Sequence, residues 1–216
     1  MNHVGKNISI VCDNFFSDPY SVRNVALKGE YFSNDSDQTS WPGFRCNVLT
    51  TPGISYLDYI ISQARYYTKN PSLTVEPDQS SFQYVLGDAK EGSFHRDDRA
   101  LYTCMIFLSI DPPDYSGTEI CDYNSPAPRD GDAIIDALDD TGSIKREFYK
   151  NPKDFLKAYK YARLLKRINS SFDPIIKVPN KFNRMILFPS NNHHRAQKYF
   201  GTSIENARLI LISFLK

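Results

Sequence analysis

The chain has 216 residues, a net charge of +1 and 41% hydrophobic residues, which suits one domain with a sizeable core. Near-neutral charge does not commit it electrostatically to nucleic acid or to a membrane surface, and no apolar run approaches the ~20 residues of a membrane span. Met1–Lys6 lacks the apolar stretch of a secretion signal, and Cys12, Cys46, Cys104 and Cys121 show no Cys-x-x-Cys spacing, so a cytoplasmic protein with reduced thiols is expected.

Residues 7–12 read as a strand. Asp18-Pro19 is a helix cap followed by proline at the first helical position, opening a short helix to Leu27. Residues 31–43 are polar and turn-rich. From Ile54 to Tyr67 the spacing is helical: Leu57, Ile60, Ile61, Ala64 and Tyr67 share one face, as on a helix covering a sheet.

From residue 82 the pattern turns to β. Strands are expected at 82–86, 93–97, 101–110, 118–121, 175–178, 184–188, 194–199 and 207–214. Eight short strands separated by Gly, Pro, Asn and Asp predict a mainly β fold with flanking helices, a double-stranded β-helix or cupin-like jelly roll. The expected organisation is a single domain over 1–216. Residues 1–80 supply a strand and supporting helices, and 81–216 supply the barrel, with a helical insertion at about 130–172 between its fourth and fifth strands. In that insertion, Asn151-Pro152 starts a helix carrying Phe155, Tyr159, Ala162, Leu165 and Ile168. Residues 145–167 hold nine Lys/Arg against two Asp/Glu, and Asp130, Asp132, Asp136, Asp139 and Asp140 precede them. The insertion is expected beside the barrel mouth, with Lys153, Lys157, Lys160 and Arg163 facing an acidic or phosphate-bearing partner.

Three of the four histidines fall in two places, Phe94-His95-Arg96-Asp97-Asp98 and Phe188-Pro189-Ser190-Asn191-Asn192-His193-His194. In an extended chain His95 and Asp97 project to one face. A second imidazole, from His193 or His194, would complete a set of two nitrogens and one carboxylate. Such a set suits non-haem Fe(II), because it leaves coordination positions open.

The order of these pieces resembles the 2-oxoglutarate/Fe(II)-dependent dioxygenases, in particular the prolyl-4-hydroxylase-like group, over about residues 80–215. The elements are His95-x-Asp97, the strand from Leu101 to Ser109, Gly117-Thr118-Glu119, Phe188-Pro189-Ser190 and the distal histidine, and then Arg208. Trp41-Pro42-Gly43-Phe44-Arg45 is similar to a Pro-Gly-x-Arg segment of related oxygenases, which fits either a turn with an aromatic anchor or a substrate entrance.

The resemblance implies Fe(II) held by His95, Asp97 and His194, with no catalytic side chain beyond these ligands. His194 is chosen over His193 because three residues separate the family's second histidine from Phe-Pro-Ser, and His193 would then point outward or support a ligand. It further implies 2-oxoglutarate and O2 as co-substrates, with Arg208 on the distal carboxylate of 2-oxoglutarate. Arg195, next to the ligand, should point away. Where relatives have a tyrosine to assist the arginine this chain has Phe107, so Thr103 is assigned the assisting hydroxyl, with Tyr84 as the other candidate. The implied reaction is oxidative decarboxylation to succinate and CO2, coupled to hydroxylation of an amino-acid side chain, a peptide or a small metabolite. Nucleic acid is not favoured as a partner, and the sequence leaves the oligomeric state open. The competing readings are a non-catalytic jelly-roll binding protein that retains a metal site and a metal-dependent cupin without 2-oxoglutarate. The latter leaves Arg208 unexplained.

Overall fold

The computed structural model describes residues 9–33, 41–47, 54–75, 80–89, 92–97, 100–121, 163, 166–167 and 169–216. In chain order they form β1 (Ile10–Cys12), α1 (Pro19–Leu27), β2 (Phe32–Ser33), β3 (Phe44–Asn47), α2 (Ile54–Thr68), β4 (Ser81–Val85) and β5 (Tyr102–Phe107). After a 3-10 turn (Asp114–Ser116) come β6 (Thr118–Cys121), β7 (Pro174–Val178), β8 (Met185–Pro189), β9 (His194–Ala196) and β10 (Arg208–Leu215).

Alternation along β10 shows how the layers arise. Leu209, Leu211 and Leu215 pack with Val22 and Ala26 of α1 and with Leu57, Ile60 and Ala64 of α2. Ile210 and Ile212 pack in a separate cluster with Met105, Phe107, Ile120, Val178, Ile186 and Phe188. The period-two pleat thus divides one apolar strand between two cores. Burying each such side chain contributes about 1.5–3 kcal/mol.

The larger sheet has the order β1-β8-β5-β10-β4-β3-β2 and the smaller β7-β6-β9, with every strand pair antiparallel. Their facing surfaces enclose the second cluster, which is the interior of a jelly roll. The helices cover the opposite face of the larger sheet.

Local chemistry sets the helix positions. The Asp18 carboxylate accepts from the Ser21 N–H at 3.1 Å, and Pro19 follows at the first helical position. On α2, Leu57, Ile60, Ile61 and Ala64 are buried, as their spacing predicts. Asn183 adopts a left-handed φ of 61°. Its side-chain oxygen accepts from Phe16 N–H at 2.8 Å and its amide donates to Phe16 O at 2.9 Å, which ties the start of the chain to the barrel.

Several expectations change. The strand expected over 93–97 is reduced to one bridge between His95 and His194. The Asp97 N–H donates to Ser190 O at 2.8 Å, so the chain leaves the smaller sheet after a single pair. A short strand, β2, lies in the segment read as polar and turn-rich, and β3 follows it directly. The acidic loop and most of the basic helix lie outside the described residues; Arg163, Lys166, Arg167, Asn169 and Ser170 are helical. None of the four cysteines forms a disulfide, and Cys46, Cys104 and Cys121 are buried. No helix among the described residues is long and apolar enough to cross a membrane.

Candidate active site

Two chain segments meet at one end of the barrel interior. His95 arrives on its bridge, Asp97 follows two residues later, and His194 opens β9. The bridge holds the two histidine backbones together through His95 N–H to His194 O at 3.1 Å and the reciprocal bond at 2.9 Å. One ligand atom from each of His95, Asp97 and His194 lies within 4.8 Å of the others.

The imidazoles are oriented by their own backbone. His95 Nδ1 lies 3.0 Å from Ser93 O, and His194 Nδ1 lies 2.9 Å from Asn192 O. A carbonyl only accepts, so both Nδ1 atoms carry the proton. In the neutral rings the lone pairs are therefore on Nε2, which is the arrangement a metal needs. The Nε2 atoms of His95 and His194 lie 3.9 and 3.2 Å from the two oxygens of Asp97. Atoms each about 2.1 Å from one ion are at most about 4.2 Å apart, so both spacings suit a shared cation. The His95 side chain is 37% exposed and that of His194 only 5%, so the set opens to solvent on the His95 side.

The carboxylate is held from behind. The Thr103 hydroxyl donates to Asp97 Oδ2 at 2.8 Å and lies 2.9 Å from Ser190 Oγ. Ser190, after Phe188-Pro189, thus fixes Asp97 through both its carbonyl and its hydroxyl contact to Thr103. Burial works to raise the Asp97 pKa, but His194, His95 and the Thr103 hydroxyl outweigh it and hold the group well below the carboxylate range. For His194, burial opposes protonation, yet Asp97 prevails and raises its pKa.

His193 does not join the set. It is 9% exposed, its Nδ1 has no hydrogen-bond partner, and its ring packs 4.7 Å from Phe172. It is buried and turned away from Asp97, not turned out to solvent. Burial, with Arg96 nearby, brings its pKa down to about 4.

Arg208 begins β10 on the barrel-facing parity of Ile210 and Ile212 and is 3% exposed. Its Nε donates to Ser116 O at 3.4 Å, and its Nη2 lies 3.2 Å from Thr118 Oγ1 and 3.4 Å from Met105 Sδ. All three partners are neutral, and no carboxylate among the described residues pairs with it. Burial lowers its pKa. A Cβ on Gly117 would sit 2.1 Å from Val178 O, so only glycine lets the chain pass this close to β7 and place Thr118 beside Arg208.

The two hydroxyls considered for the co-substrate lie apart from Arg208. The Thr103 hydroxyl serves Asp97, and the hydroxyl adjoining Arg208 is that of Thr118. Tyr84 is also elsewhere: it packs with the outer core, stacked on Phe44 at 4.8 Å and edge-on to Tyr31. Arg195 points away from the interior, as expected. Its Nε donates to Glu119 at 2.8 Å, and Lys177 approaches the same carboxylate at 3.2 Å.

Comparison with solved structures places this architecture. HygX from Streptomyces hygroscopicus, solved with nickel, 2-oxoglutarate and hygromycin B bound, is similar with a TM-score of 0.57 and 11% identity, over 97% of this chain and 83% of that one. The epimerase SnoN, in complex with Fe3+, alpha-ketoglutarate and nogalamycin RO, gives 0.55 and 12%, over 97% and 79%. A prolyl 4-hydroxylase from Phytophthora capsici gives 0.46 and 14%; the match covers 96% of this chain but only 58% of that one. The likeness is one of fold: the jelly roll implied by the sequence resemblance is the fold this chain shares with HygX and SnoN. No curated protein matches the chain. Residues 2–214 match a family described as "Family of unknown function (DUF6445)".

Proposed function

We propose that this chain, which belongs to the DUF6445 family, is an Fe(II)- and 2-oxoglutarate-dependent oxygenase that hydroxylates a C–H bond of an amino-acid side chain or small metabolite. One observation carries the reading. A single barrel interior contains both an open set of two imidazoles and a carboxylate and a buried guanidinium that no carboxylate among the described residues pairs with.

His95, Asp97 and His194 would hold Fe(II) through the two Nε2 atoms and the carboxylate. When bound, the metal with O2 and 2-oxoglutarate supplies the oxidation, giving succinate, CO2 and a hydroxylated product. The protein's part is orientation. The Ser93 and Asn192 carbonyls keep the Nε2 lone pairs directed at the metal position, and Thr103 with Ser190 keeps Asp97 facing the imidazoles. Arg208 would bind the distal carboxylate of 2-oxoglutarate, with Thr118 adding a hydroxyl. The surrounding Phe107, Ile186, Phe188 and Ile210 exclude water, which strengthens that charge pairing.

The test is an anaerobic Fe(II) titration followed by measurement of succinate release. Wild type should bind about one Fe(II). His95→Ala, Asp97→Ala and His194→Ala should each lose it, and His193→Ala should retain it. Loss in His193→Ala with retention in His194→Ala, or no metal binding by wild type, would overturn the reading.

A further inference from the structure

A second barrel-facing cation is not used by the function proposed above. Arg45 lies opposite Gln83 in the β3–β4 pairing, and Gln83 lies opposite Ile210 in the β4–β10 pairing. Ile210 points into the barrel, and residues opposite one another share a face, so Arg45 and Gln83 lie on the interior side. The neighbours Cys46, Phe82 and Tyr84 pack in the outer core, as alternation requires.

The guanidinium is fixed in place. Its carbon lies 4.4 Å from the centre of the Trp41 ring, and Nη2 reaches Gln83 Oε1 at 3.4 Å. Gln83 is held at its other end, where Nε2 donates to Pro42 O at 2.7 Å. Gly43 makes this turn practicable. It has a φ of 77°, and a Cβ there would sit 2.3 Å from Tyr84 O. Arg45 Nε is shielded from solvent yet makes no hydrogen bond within the protein. No carboxylate among the described residues pairs with the guanidinium. Burial lowers its pKa to about 10, so it stays cationic near neutral pH.

We propose that Arg45, braced by Gln83 and Trp41, is a substrate-recognition group that takes a carboxylate on a small-molecule substrate and holds it in the barrel interior, at the level of Ile210. This rests on the oxygenase reading, which supplies the charge count. Among the described barrel-facing side chains, Arg45 and Arg208 are cationic and Asp97 anionic, leaving one net positive charge. Fe(II) and the dianion 2-oxoglutarate cancel each other, so one monoanion would balance these described side chains. A carboxylate has that charge and fits a guanidinium edge. A phosphomonoester carries up to two charges and would meet Asp97 with only one cation to balance it. Arg45 and Arg208 are held by different partners: Arg208 contacts Ser116, Thr118 and Met105, whereas Arg45 contacts Gln83 and Trp41.

Calorimetric titration of the Ni(II)-loaded protein, saturated with 2-oxoglutarate, tests this. The probes are the proteinogenic L-amino acids and their N-acetyl derivatives, each beside its primary amide, with sugar phosphates as the alternative anion. At least one carboxylate should bind wild type in preference to its amide and bind Arg45→Gln at least about tenfold more weakly. The 2-oxoglutarate affinity of Arg45→Gln should stay within about twofold of wild type. Arg45→Lys, which keeps the charge without the fork, should bind with intermediate affinity and shows whether a failed Arg45→Gln is a folding defect. The proposal is overturned if no carboxylate binds in preference to its amide, if sugar phosphates bind better, if both variants bind the carboxylate as wild type does, or if they lose 2-oxoglutarate instead. Failure of wild type to bind metal or 2-oxoglutarate would sink the oxygenase reading itself, which is a separate result.

Discussion

Arg208→Met should separate a binding group from a structural one, because it is expected to improve the fold while removing co-substrate affinity. The three contacts of Arg208 are 3.2–3.4 Å long and all to neutral atoms. A neutral hydrogen bond contributes about 0.5–1.5 kcal/mol, and long ones sit at the low end. Removing a guanidinium from water costs several kcal/mol when no opposite charge compensates. Methionine keeps much of the volume, has no charge to desolvate and can pack near Phe107, whose ring centre lies 5.6 Å from the guanidinium carbon. The ligand-free variant is therefore expected to be about 1–4 kcal/mol more stable than wild type. Loss of 2-oxoglutarate affinity should amount to about 2–5 kcal/mol, or roughly thirtyfold to several thousandfold. Denaturant unfolding of metal-free and Ni(II)-loaded protein, with and without 2-oxoglutarate, reads both effects. At a hundred times its Kd the co-substrate should stabilise loaded wild type by about 2.7 kcal/mol and the variant by no more than about 0.9 kcal/mol. A variant that is destabilised without ligand and still stabilised by 2-oxoglutarate like wild type would refute the reasoning.

Two further predictions concern other contacts. Thr103→Val removes the hydroxyl that holds Asp97 and should weaken metal binding about 10–100-fold, with little change in 2-oxoglutarate affinity once metal is loaded; the opposite split would return Thr103 to the co-substrate. Asp13 pairs with Arg184 at 2.6 Å and Lys181 at 2.8 Å, and these two partners hold its carboxyl well below the usual range. Its side chain is 35% exposed, so Asp13→Asn should cost only about 1 kcal/mol after solvent screening. A depressed folded-state pKa stabilises above the unfolded value of about 3.9 and loses that effect as pH falls. Unfolding curves of the two proteins should therefore converge below about pH 4, and a difference persisting undiminished at about pH 2 would contradict the assignment.

Residue parity explains what the sequence made legible. His95 and Asp97, two apart, share a direction in any extended chain, and His193 and His194 cannot. Parity lets only one of the two face Asp97 and turns Arg195 away from its neighbour onto Glu119; that the one is His194 is what the family's spacing after Phe188-Pro189-Ser190 implies. Register between distant strands is a different quantity, and no local pattern encodes it. Thr103, Met105 and Phe107 face the same way, but pairing sets Thr103 opposite Phe214 and Phe107 opposite Ile210, leaving Thr103 remote from Arg208 at the start of β10. Thr118 reaches Arg208 across the barrel, from the other sheet. The segment 41–45 stood out as a turn or a substrate entrance, but the interior position of Arg45 was not legible, for another reason. Its strand is four residues long and carries no alternation that a reader could count, and its interior position is inherited from Gln83.

The β6–β7 pairing has a consequence for how this chain tolerates change in length. Strand β6 ends at Cys121 and β7 begins at Pro174, with Ile120 directly opposite Ile176. Whatever path the intervening residues take, they leave and re-enter the barrel at adjacent points. Ring closure in a long connection depends only logarithmically on its length, and doubling it costs about 0.6 kcal/mol. A change in its length therefore costs little in ring closure alone. The end of the connection must keep its place, because Asn169 accepts from Phe94 N–H and donates to Gly92 O beside His95, and Phe172 packs on His193.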